Sequence, residues 1–337
     1  MKGDASIKVE NGKLVKVDLE FGDHIEDVKI TGDFFIQPAN AIEEMQDALV
    51  GAPVDESAME LEDRLDQVEA ELVGFERSHV AEAVKQASQI NWNIINEGEY
   101  SEAMHHAIDQ VLAHKVREDQ IEPTIRFWYR KNKAVPFGRY QAIEDEVELD
   151  YAEETNVEVV RRITGGGAMF TEPGNVITYS IYIPEEKVTD DIQESYKELD
   201  KWAMEALQNL GVDVEYEPVN DIVHEDGKIG GAAQLRSKGA VLHHTMLSYD
   251  LDTKEMLKVL RIGKEKVSDK AIDSAEQRVS RITDHVDFSR QRVVEELIES
   301  FKKRYGGQDA ELDQDTLDRA KQLAESKLQT DEWNKKI

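Results

Sequence analysis

The segment Arg161–Phe170 constrains this chain most, because it reads RRITGGGAMF and places three consecutive glycines after two arginines. Glycine lacks a Cβ atom, so a ligand can approach the backbone closely and φ can be positive without strain. Successive free N–H groups can bind one anion, and an arginine guanidinium suits a carboxylate or a phosphate. The segment therefore predicts a loop that binds an anionic small molecule, although a glycine-rich turn between two strands is the alternative.

Three later segments extend this pattern: Asn220–Val223 (NDIV), Lys228–Gln234 (KIGGAAQ) and Leu242–Leu247 (LHHTML). Together with the glycine segment they resemble the lipoate–protein ligase family. The family pattern is a double arginine, Ser/Thr-Gly-Gly-Gly-Ala-Val-Phe-His-Asp, Gly-Asn, Asn-Asp, Lys-x-x-Gly-x-Ala and His-Gly-Thr-Leu-Leu. All blocks occur here in order, and residues from about 92 to 337 carry the resemblance.

The resemblance implies an ATP-dependent reaction through an acyl-adenylate. Lipoate and ATP would give lipoyl-adenylate, with Mg²⁺ as the cofactor of ATP. The lipoyl group would then pass to a lysine of a lipoyl-domain protein of a 2-oxoacid dehydrogenase complex, or of the glycine-cleavage carrier protein. Whether lipoate or octanoate is the physiological acid is left open by the sequence.

Two residues are expected to be catalytic by this resemblance. Lys228 matches the family lysine that contacts the α-phosphate and the adenylate carbonyl, for which a compact ammonium charge is suited. Arg162 is expected to bind the carboxylate or the acyl phosphate oxygens. Asp221 is expected either to hold Mg²⁺, a cation that prefers oxygen ligands, or to orient the acceptor lysine.

The remaining expected ligand contacts come from the same motifs. They are Gly165, Gly166, Gly167, Ala168, Phe170, Asn220, Asp221, Ala233 and His243. His243 is expected either to contact the ligand or to buttress its loop. An apolar slot for the acyl chain could use any of four residues, each of which would otherwise be ordinary core: Phe137, Met169, Phe170 and Tyr179.

The sequence departs from the family pattern at two places. Thr171-Glu172 stand where the family often has His-Asp, and His244 stands where the family has glycine. The first change affects the expected pocket rim, and the second could narrow the approach to the site. Elsewhere, His105 and His106 are adjacent on a predicted helix and cannot bind one metal from the same face, so surface or core packing is expected for both.

The formal net charge of −30, from 41 basic and 71 acidic residues, is spread along the whole chain. Repulsion from phosphates argues against nucleic acid and anionic membrane surfaces as partners. Dispersed acidity, with a pI of about 4.7 and a mean hydropathy of −0.58, suggests the cytoplasm of a halophile, where salt screens the self-repulsion. An acidic enzyme of ordinary salt tolerance is the alternative.

These 337 residues contain no cysteine, which excludes disulfides, thiolate metal sites and cysteine nucleophiles among them. No apolar run approaches the roughly 18 residues needed to cross a bilayer. Met1-Lys2-Gly3-Asp4 lacks the apolar core of a signal peptide. We therefore expect a soluble, cytoplasmic protein.

Two domains are predicted, an accessory unit at residues 1–87 and a catalytic domain with a helical C-terminal part at residues 88–337. Asn11-Gly12 lies between segments of alternating apolar and polar residues, which indicates a β-hairpin. This hairpin, the Gly32–Phe35 segment and the helices that follow resemble the accessory domain of lipoate ligases. A packing module without chemistry is the alternative for this unit.

Strands and helices mix without a repeating βαβ unit, which favours an α+β fold with a mixed or antiparallel sheet. The resemblance implies the fold shared by biotin and lipoate ligases. Predicted helices are Ala41–Leu49, Ala58–Leu72, Ser78–Ala87, Ser101–Lys115, Asp190–Leu210, Thr253–Leu260, Ser289–Lys303 and Leu312–Leu328. Predicted strands are Ser6–Val9, Lys13–Phe21, Val28–Phe35, Trp92–Ile95, Ile125–Tyr129, Val157–Val160, Val176–Ile183, Val212–Tyr216, Asp221–His224, Lys228–Leu235 and Ala240–Tyr249.

Four functions fit the pattern to different degrees. An ATP-dependent lipoate–protein ligase fits all blocks. Octanoyltransferases that resemble this chain work through a cysteine thioester, for which no cysteine is present. A biotin–protein ligase would require a Gly-Arg-Gly-Arg-type loop that is missing, and a non-catalytic lipoate-binding paralogue would explain the two departures.

Overall fold

The computed structural model describes residues 1–10, 12–237, 239–261 and 279–337. The chain forms two compact units. The first contains Met1–Ile90 and Glu186–Asp190, and the second contains Asn91–Glu185 and Asp191–Ile337. Within the described ranges, every helix is too short or too polar to span a membrane.

The first unit contains an antiparallel sheet of β1 (Lys2–Lys8), β2 (Leu14–Phe21) and β3 (Ile25–Gly32). The pairing of β1 with β2 confirms the predicted hairpin, although Asn11 of its turn lies outside the described residues. Alternate residues of β2 are buried and helix α3 packs on β1 and β2. The helices of this unit are α1 (Ala41–Leu49), α2 (Ala58–Leu65) and α3 (Arg77–Ala87).

Two element boundaries in this unit were predicted wrongly. Helix α2 ends at Leu65 rather than Leu72, because the chain turns and Glu71–Val73 forms β5. β5 pairs with β4 (Phe35–Gln37). The predicted strand Val28–Phe35 wrongly included Phe35 in the preceding strand. Local residue preferences predict a longer helix α2 and a longer third strand. Both are shorter in the structure because β4 and β5, which are distant in the sequence, pair with each other.

The second unit is built on an eight-stranded mixed sheet. Its strands are β6 (Asn93–Ile95), β8 (Thr124–Phe127), β12 (Val176–Pro184), β13 (Glu215–Glu217), β14 (Asp221–His224), β15 (Gly227–Ser237), β16 (Ala240–Ser248) and β17 (Gln308–Ala310). Their order across the sheet is β13-β14-β15-β16-β12-β8-β6-β17. β6 runs parallel to β8 and β17, and the other neighbours are antiparallel. Two small parallel pairs complete the unit: β7 (Glu99–Tyr100) with β9 (Tyr129–Arg130), and β10 (Ala134–Phe137) with β11 (Glu158–Arg161).

Helices cover the sheet of the second unit. Helix α4 (Glu102–Arg117) packs on β12 and β16, and α7 (Ile192–Asn209) contacts β16 and α9. Ser101 caps α4 as predicted, since its side chain accepts a hydrogen bond from the Met104 N–H. The other helices are α5 (Ile143–Glu146), α6 (Leu149–Glu154), α8 (Thr253–Val259), α9 (Arg290–Tyr305), α10 (Gln314–Leu323) and α11 (Asp331–Asn334), with a π-helical turn at Ala324–Leu328.

This architecture confirms the predicted α+β class with a mixed sheet. The predicted strand Ile125–Tyr129 is divided into β8 and β9 at Trp128, whose N–H donates to the Thr178 carbonyl. The predicted helix Leu312–Leu328 begins at Gln314 and passes into the π-helical turn. Strand alternation then gives the sheet two different faces, one towards α4 and one towards α7.

Candidate functional site

A cavity of about 120 Å³ lies in the second unit on the side of the sheet that carries α4. This volume is several times the space that one water molecule occupies, so the cavity is large enough for a small organic ligand. Seven of the predicted site residues line it: Arg162, Gly166, Gly167, Ala168, Asn220, Lys228 and Ala233. Residues distant in the sequence also line it, among them Glu102, His106, Trp128, Arg130, Thr178 and His244.

The glycine loop is held from within by Arg162. Nε and Nη2 of this arginine donate to the Gly165 carbonyl at 3.1 and 2.7 Å, and Nη2 also donates to the Gly167 carbonyl at 2.8 Å. Nη1 donates to the Pro136 carbonyl at 3.2 Å. Arg162 is 2% exposed, and burial lowers its pKa to about 10. Four of its five N–H groups therefore bind backbone carbonyls, so the loop itself is its main partner.

Only the middle glycine of the three is conformationally required. Gly166 has φ +91, and a Cβ atom there would lie 2.7 Å from Nη2 of Arg162. Gly165 and Gly167 have open space at the Cβ position. Gly138 is also required, because a Cβ atom there would lie 1.9 Å from the Gly166 carbonyl oxygen. The loop is thus pressed between the end of β10 and the Arg162 side chain.

Arg161 points away from the loop and ties the C-terminal segment to the site. Its guanidinium donates to the carbonyls of Trp333, Asn334, Arg139 and Gln141 at 2.6 to 3.0 Å. The Trp333 indole N–H donates back to the Arg161 carbonyl at 2.7 Å. The two adjacent arginines therefore have separate tasks, because successive residues at a strand end face opposite sides.

Lys228 and Asp221 form an ion pair at the edge of the cavity. Nζ of Lys228 lies 2.7 Å from Oδ1 of Asp221, and both side chains keep contact with solvent. A Cβ atom at Gly231 would lie 2.8 Å from Nζ, so the absence of a side chain at Gly231 leaves the space that the Lys228 ammonium group occupies. Asn220 donates from Nδ2 to the Ala232 carbonyl at 2.5 Å and lines the cavity.

The two histidines of β16 face opposite sides of the sheet. His243 is fully buried beneath α7, where Nε2 lies 2.8 Å from Oδ1 of Asp200. His244 lines the cavity on the other face. Of the two roles expected for His243, ligand contact does not fit this position, because successive strand residues point in opposite directions. The alternative, that His243 supports the site from behind, stays a prediction. The departure from the family pattern, His244, is the histidine at the cavity.

Of the four candidates for an acyl slot, only Met169 lines the cavity. Phe137 and Phe170 are buried in a separate apolar cluster with Val135 and Leu251. Tyr179 is buried on the α7 face, where its hydroxyl donates to Asp200 at 2.6 Å. Phe170, predicted as a ligand contact, is thus a core residue, because the loop turns its side chain inward after Met169.

The other departures from the family pattern are structural in their contacts. Thr171 is buried and donates to the Ala134 carbonyl at 3.2 Å. Oε1 of Glu172 accepts from Asn175 Nδ2 at 3.0 Å and from the Asp252 N–H at 2.8 Å. These two residues fix the turn that follows the loop and do not line the cavity.

A buried polar network lies behind the cavity and reaches its lining through His244. Oδ1 of Asp109 accepts from Arg126 Nη2 at 2.8 Å and from the Tyr182 hydroxyl at 2.6 Å. His244 bridges this network to the glycine loop, with Nδ1 at 3.2 Å from Oδ2 of Asp109 and Nε2 at 2.9 Å from Oγ1 of Thr164. Burial lowers the pKa of His244 to about 4, although Asp109 opposes the shift. His244 is therefore neutral near pH 7.

Glu102 and Arg130 form a buried ion pair beside this polar network. Arg130 donates to Glu102 from Nε at 2.6 Å and from Nη2 at 3.2 Å, and Nη1 donates to Oγ1 of Thr178 at 2.9 Å. Burial opposes ionisation of Glu102, but Arg130 and His106 outweigh it and hold the pKa of the carboxyl below its usual range. Sequence reasoning missed Glu102, His106 and Arg130 as cavity residues. The available signal was three polar residues on the otherwise apolar face of α4, namely Glu102, His106 and Asp109.

Two clusters in the described part of the chain have metal-ligand composition: His106 with Asp109 and His244, and His224 with Asp226 and His285. In the first, Asp109 is already neutralised by Arg126, and both nitrogens of His244 are hydrogen-bonded. A cation there would face the guanidinium groups of Arg126 and Arg130 at close range, so we infer no metal site from this cluster. The second is partly exposed and lies outside the cavity lining.

The lipoyl protein ligase A/B catalytic domain family matches residues 101–302 of this chain. The chain is 31% identical over 228 residues to lipoate-protein ligase A subunit 1 of Thermoplasma acidophilum, covering 63% of this chain and 84% of that protein. It is 28% identical over 274 residues to octanoyltransferase LipM of Brevibacillus brevis, covering 72% and 98%. A probable lipoate-protein ligase A of Mycoplasma pneumoniae is 29% identical over 68% of this chain, which spans 66% of that protein.

Solved structures agree with these relatives. A bipartite lipoate protein ligase of Thermoplasma acidophilum, studied with its E2 lipoyl domain, has a TM-score of 0.64 at 28% identity, covering 73% of this chain and 96% of that chain. Lipoate-protein ligase A bound with ATP gives a TM-score of 0.62 at 26% identity, covering 73% and 98%. A Thermoplasma acidophilum protein with bound lipoic acid gives 0.61 at 25% identity, covering 73% and 99%.

Proposed function

Because this chain belongs to the lipoyl protein ligase A/B catalytic domain family, we propose that it is an ATP-dependent lipoate–protein ligase. The observation that carries the proposal is that Lys228 and the glycine loop line one cavity in a chain without cysteine. A similar protein binds lipoic acid and another binds ATP. The proposed acceptors are lipoyl-domain proteins, as for the relative with its E2 lipoyl domain, and the glycine-cleavage carrier protein.

The reaction has two steps. In the first, a carboxylate oxygen of lipoate attacks the α-phosphorus of ATP, and pyrophosphate leaves. In the second, the neutral amine of the acceptor lysine attacks the acyl carbonyl, its proton is lost and AMP leaves. Both steps build negative charge on phosphate or carbonyl oxygens, so a fixed cation at the cavity stabilises both transition states. Lys228 is the residue to which we assign this task.

Lys228 is positioned for it by its neighbours. Asp221 pairs with Nζ at 2.7 Å, which holds the ammonium group at the cavity edge until an anion replaces the carboxylate. Gly231 leaves the space that the lysine side chain crosses. We assign the α-phosphate and the adenylate carbonyl to Lys228, and the backbone N–H groups of Gly166 and Gly167 to the same anion.

We assign Arg162 a supporting task in the same reaction. Four hydrogen bonds commit its guanidinium to the loop carbonyls and to Pro136. One Nη1–H group is left for a ligand oxygen. Its buried charge also favours an anion at the adjacent loop. Arg162 therefore shapes the loop and contributes a single contact to the carboxylate or acyl phosphate.

ATP would bring Mg²⁺, and the carboxylate of Asp221 at this edge is a ligand of the type that this ion takes. Mg²⁺ bound with phosphates takes one or two protein carboxylates and keeps waters. Asp221 supplies one partly exposed carboxylate beside Asn220. When bound, the ion would neutralise phosphate charge and Asp221 would hold it, which frees Lys228 for the α-phosphate.

The chain's first unit is proposed to be an accessory domain. Its three-stranded sheet, which contains the hairpin, and its three helices support this proposal, because the resemblance rests on a hairpin followed by helices. The proposal places this unit at residues 1–87, and the compact unit itself continues to Ile90. Its part in adenylation is tested by asking whether a chain that begins at Asn91 still exchanges pyrophosphate into ATP.

A transfer through a cysteine thioester is the competing chemistry, since octanoyltransferases are among the relatives. That mechanism needs a thiolate nucleophile, and these 337 residues contain no cysteine. Activation by ATP requires only the cation and the loop described above. The absence of the nucleophile therefore favours the ligase over the transferase.

The test is the intact mass of a purified lipoyl-domain acceptor after incubation with this protein, lipoate, ATP and Mg²⁺ in molar KCl. We expect a gain of one lipoyl group that requires ATP. Lys228→Ala should keep its fold, by circular dichroism, and lose ATP–pyrophosphate exchange. Lys303→Ala, at an exposed position of α9, is the matched control and should exchange normally.

No mass gain with a folded enzyme and a competent acceptor would refute the lipoate ligase. Octanoate and biotin in place of lipoate then identify a ligase for another acid. Failure of pyrophosphate exchange with all three acids would leave a non-catalytic binding protein. Full exchange in Lys228→Ala would remove this lysine from the mechanism.

A further inference from the structure

Lys228 faces the cavity because β15 carries one residue more than β14 beside it. Asp221 of β14 pairs with Gly231 of β15. Two residues further along β14, Val223 pairs with Lys228, which lies three residues from Gly231, so the pair of strands contains a β-bulge at Ile229. Successive strand residues point to opposite faces, so regular pairing would turn Lys228 away from the face of Gly231. A bulge commonly re-aims a side chain in this way.

The pairing with β16 shows that the face of Gly231 is the cavity face. Gly231 pairs with Met246 and Ala233 pairs with His244, and all four residues line the cavity. Nζ of Lys228 lies 2.8 Å from the position that a Cβ atom of Gly231 would take, so the lysine side chain lies on this face too. The bulge therefore decides whether the ammonium group reaches the cavity.

The segment Val279–His285 holds the bulged end of β15. β16 pairs with β15 from Gly230 to Ser237, and Lys228 pairs instead with Val279 in an isolated parallel bridge. The Ser280 N–H donates to the Lys228 carbonyl at 2.9 Å. This hydrogen bond fixes the backbone of the residue whose side chain has to reach the cavity.

Ser280 is in turn held by His285. Ser280 is buried, and its Oγ lies 2.7 Å from Nε2 of His285. The His285 ring packs on the His224 ring, with centroids 3.8 Å apart. His224 pairs with Gly227, the residue that precedes Lys228. The contacts of His285 therefore lead back to the hairpin of β14 and β15, so that the bulge is held from two sides.

We propose that Ser280 and His285 are positioning residues for Lys228. The inference rests on the proposed function for the task of this lysine. Without the Ser280–His285 hydrogen bond, the Ser280 N–H is held less firmly against the Lys228 carbonyl, and the bulged end of β15 can slip. A slip of one residue turns a strand side chain to the other face of the sheet. Lys228 would then leave the cavity, although the residues that line the rest of it stay in place.

Pyrophosphate exchange by the full-length protein tests the consequence for the reaction. Ser280→Ala and His285→Ala should each lower kcat about tenfold, since small misplacements of a reacting group cost one to two orders of magnitude. KM should stay close to that of the wild type, because the lysine charge acts mainly in the transition state. His285→Gln places an amide within reach of Ser280 and should restore most of kcat. Thr283→Ala is the matched control, because it removes a hydrogen bond of the same turn, to Asp250 at 3.1 Å, and keeps the Ser280 contacts.

A carbodiimide crosslink reports the position of Lys228 without any catalysis. The reagent activates the Asp221 carboxylate, and the Lys228 amine, 2.7 Å away, displaces the urea leaving group and forms an amide. Peptide mass spectrometry measures the yield against the Lys302–Asp309 pair, which is also 2.7 Å apart. Ser280→Ala and His285→Ala should lose most of the Lys228–Asp221 product. His285→Gln and Thr283→Ala should keep it.

An unchanged crosslink yield in folded Ser280→Ala and His285→Ala would overturn the proposal, and so would a normal kcat in variants whose yield has fallen. Equal losses in Thr283→Ala would also overturn it, because the effect would then belong to the turn as a whole. If one of the two alanine variants fails to fold, the other decides. If no acid supports exchange by the wild type, the ligase function fails, and the crosslink yields alone decide whether Ser280 and His285 position Lys228.

Discussion

Alanine substitution at Gly165, Gly166 and Gly167 should have three different effects, although the sequence shows the three glycines as equivalent. At Gly166 a side chain would have to adopt φ +91, and its Cβ atom would lie 2.7 Å from Nη2 of Arg162. Holding an L-residue in the left-handed region costs about 1–2 kcal/mol. At Gly165 and Gly167 no atom lies within 4 Å of the Cβ position and φ is not in that region.

The contact with Arg162 adds to the cost of Gly166→Ala. The guanidinium is buried and bonded to the carbonyls of Gly165, Gly167 and Pro136, so it cannot move aside without losing hydrogen bonds. A lost bond from a charged donor costs about 1.5–3 kcal/mol. We therefore expect Gly166→Ala to lower the free energy of unfolding by about 2.5–5 kcal/mol. The flanking substitutions should change it by about 0.5 kcal/mol or less.

Urea unfolding followed by circular dichroism measures the stability of the three variants, and pyrophosphate exchange measures their activity. Gly167 lines the cavity and Gly165 does not, so Gly167→Ala should raise the KM for ATP or acid at normal stability. Gly165→Ala should resemble the wild type in both assays. Equal stability of Gly166→Ala and the flanking variants would refute the reasoning from φ and from Arg162.

Three further predictions concern charge. Arg161→Lys should lower the free energy of unfolding by about 2 kcal/mol or more in urea, because one ammonium cannot reach the carbonyls of Trp333, Asn334, Arg139 and Gln141 together; an unchanged midpoint would contradict it. Burial lowers the pKa of His244 in the folded chain to about 4, below the ordinary histidine value of about 6.5. The unfolded chain therefore binds the extra proton between these values, and the free energy of unfolding should fall as pH drops from about 6.5 to about 4. His244→Gln should flatten this slope in part, since burial also lowers the pKa of His105, and an equal slope in both proteins would refute it. With an acceptor chosen to be acidic as well, lipoyl transfer should rise with KCl, because salt screens the repulsion between two negatively charged proteins; a steady fall from low to molar KCl would refute it.

The fold class and the parts of the site that are contiguous in sequence could be predicted from the sequence. Gly166 and Gly167 of the loop after β11 line one cavity with Asn220 and Lys228, and Asp221 pairs with Lys228 at its edge. Site residues that lie within one short motif can be predicted, because the residue types and their spacing along the chain place them next to each other.

Features that depend on distant partners could not be predicted. Arg162 seemed free to bind a ligand, but the loop carbonyls take four of its N–H groups. His243 matched a motif, yet α7 covers it and His244 reaches the cavity instead. Strand alternation predicts that these two histidines face opposite sides, but not which side carries the cavity.

Residue type and short spacing were enough to predict the loop of glycines after Arg162, its closeness to Lys228 and the lack of a cysteine nucleophile in these 337 residues. Tertiary structure alone decided which donors remain available and which polar groups meet. The fold places Glu102 and His106 of α4 in the cavity lining, although they precede the glycine loop by more than fifty residues in the sequence. The physical reason is that hydrogen-bond satisfaction in a buried site depends on every element packed around it.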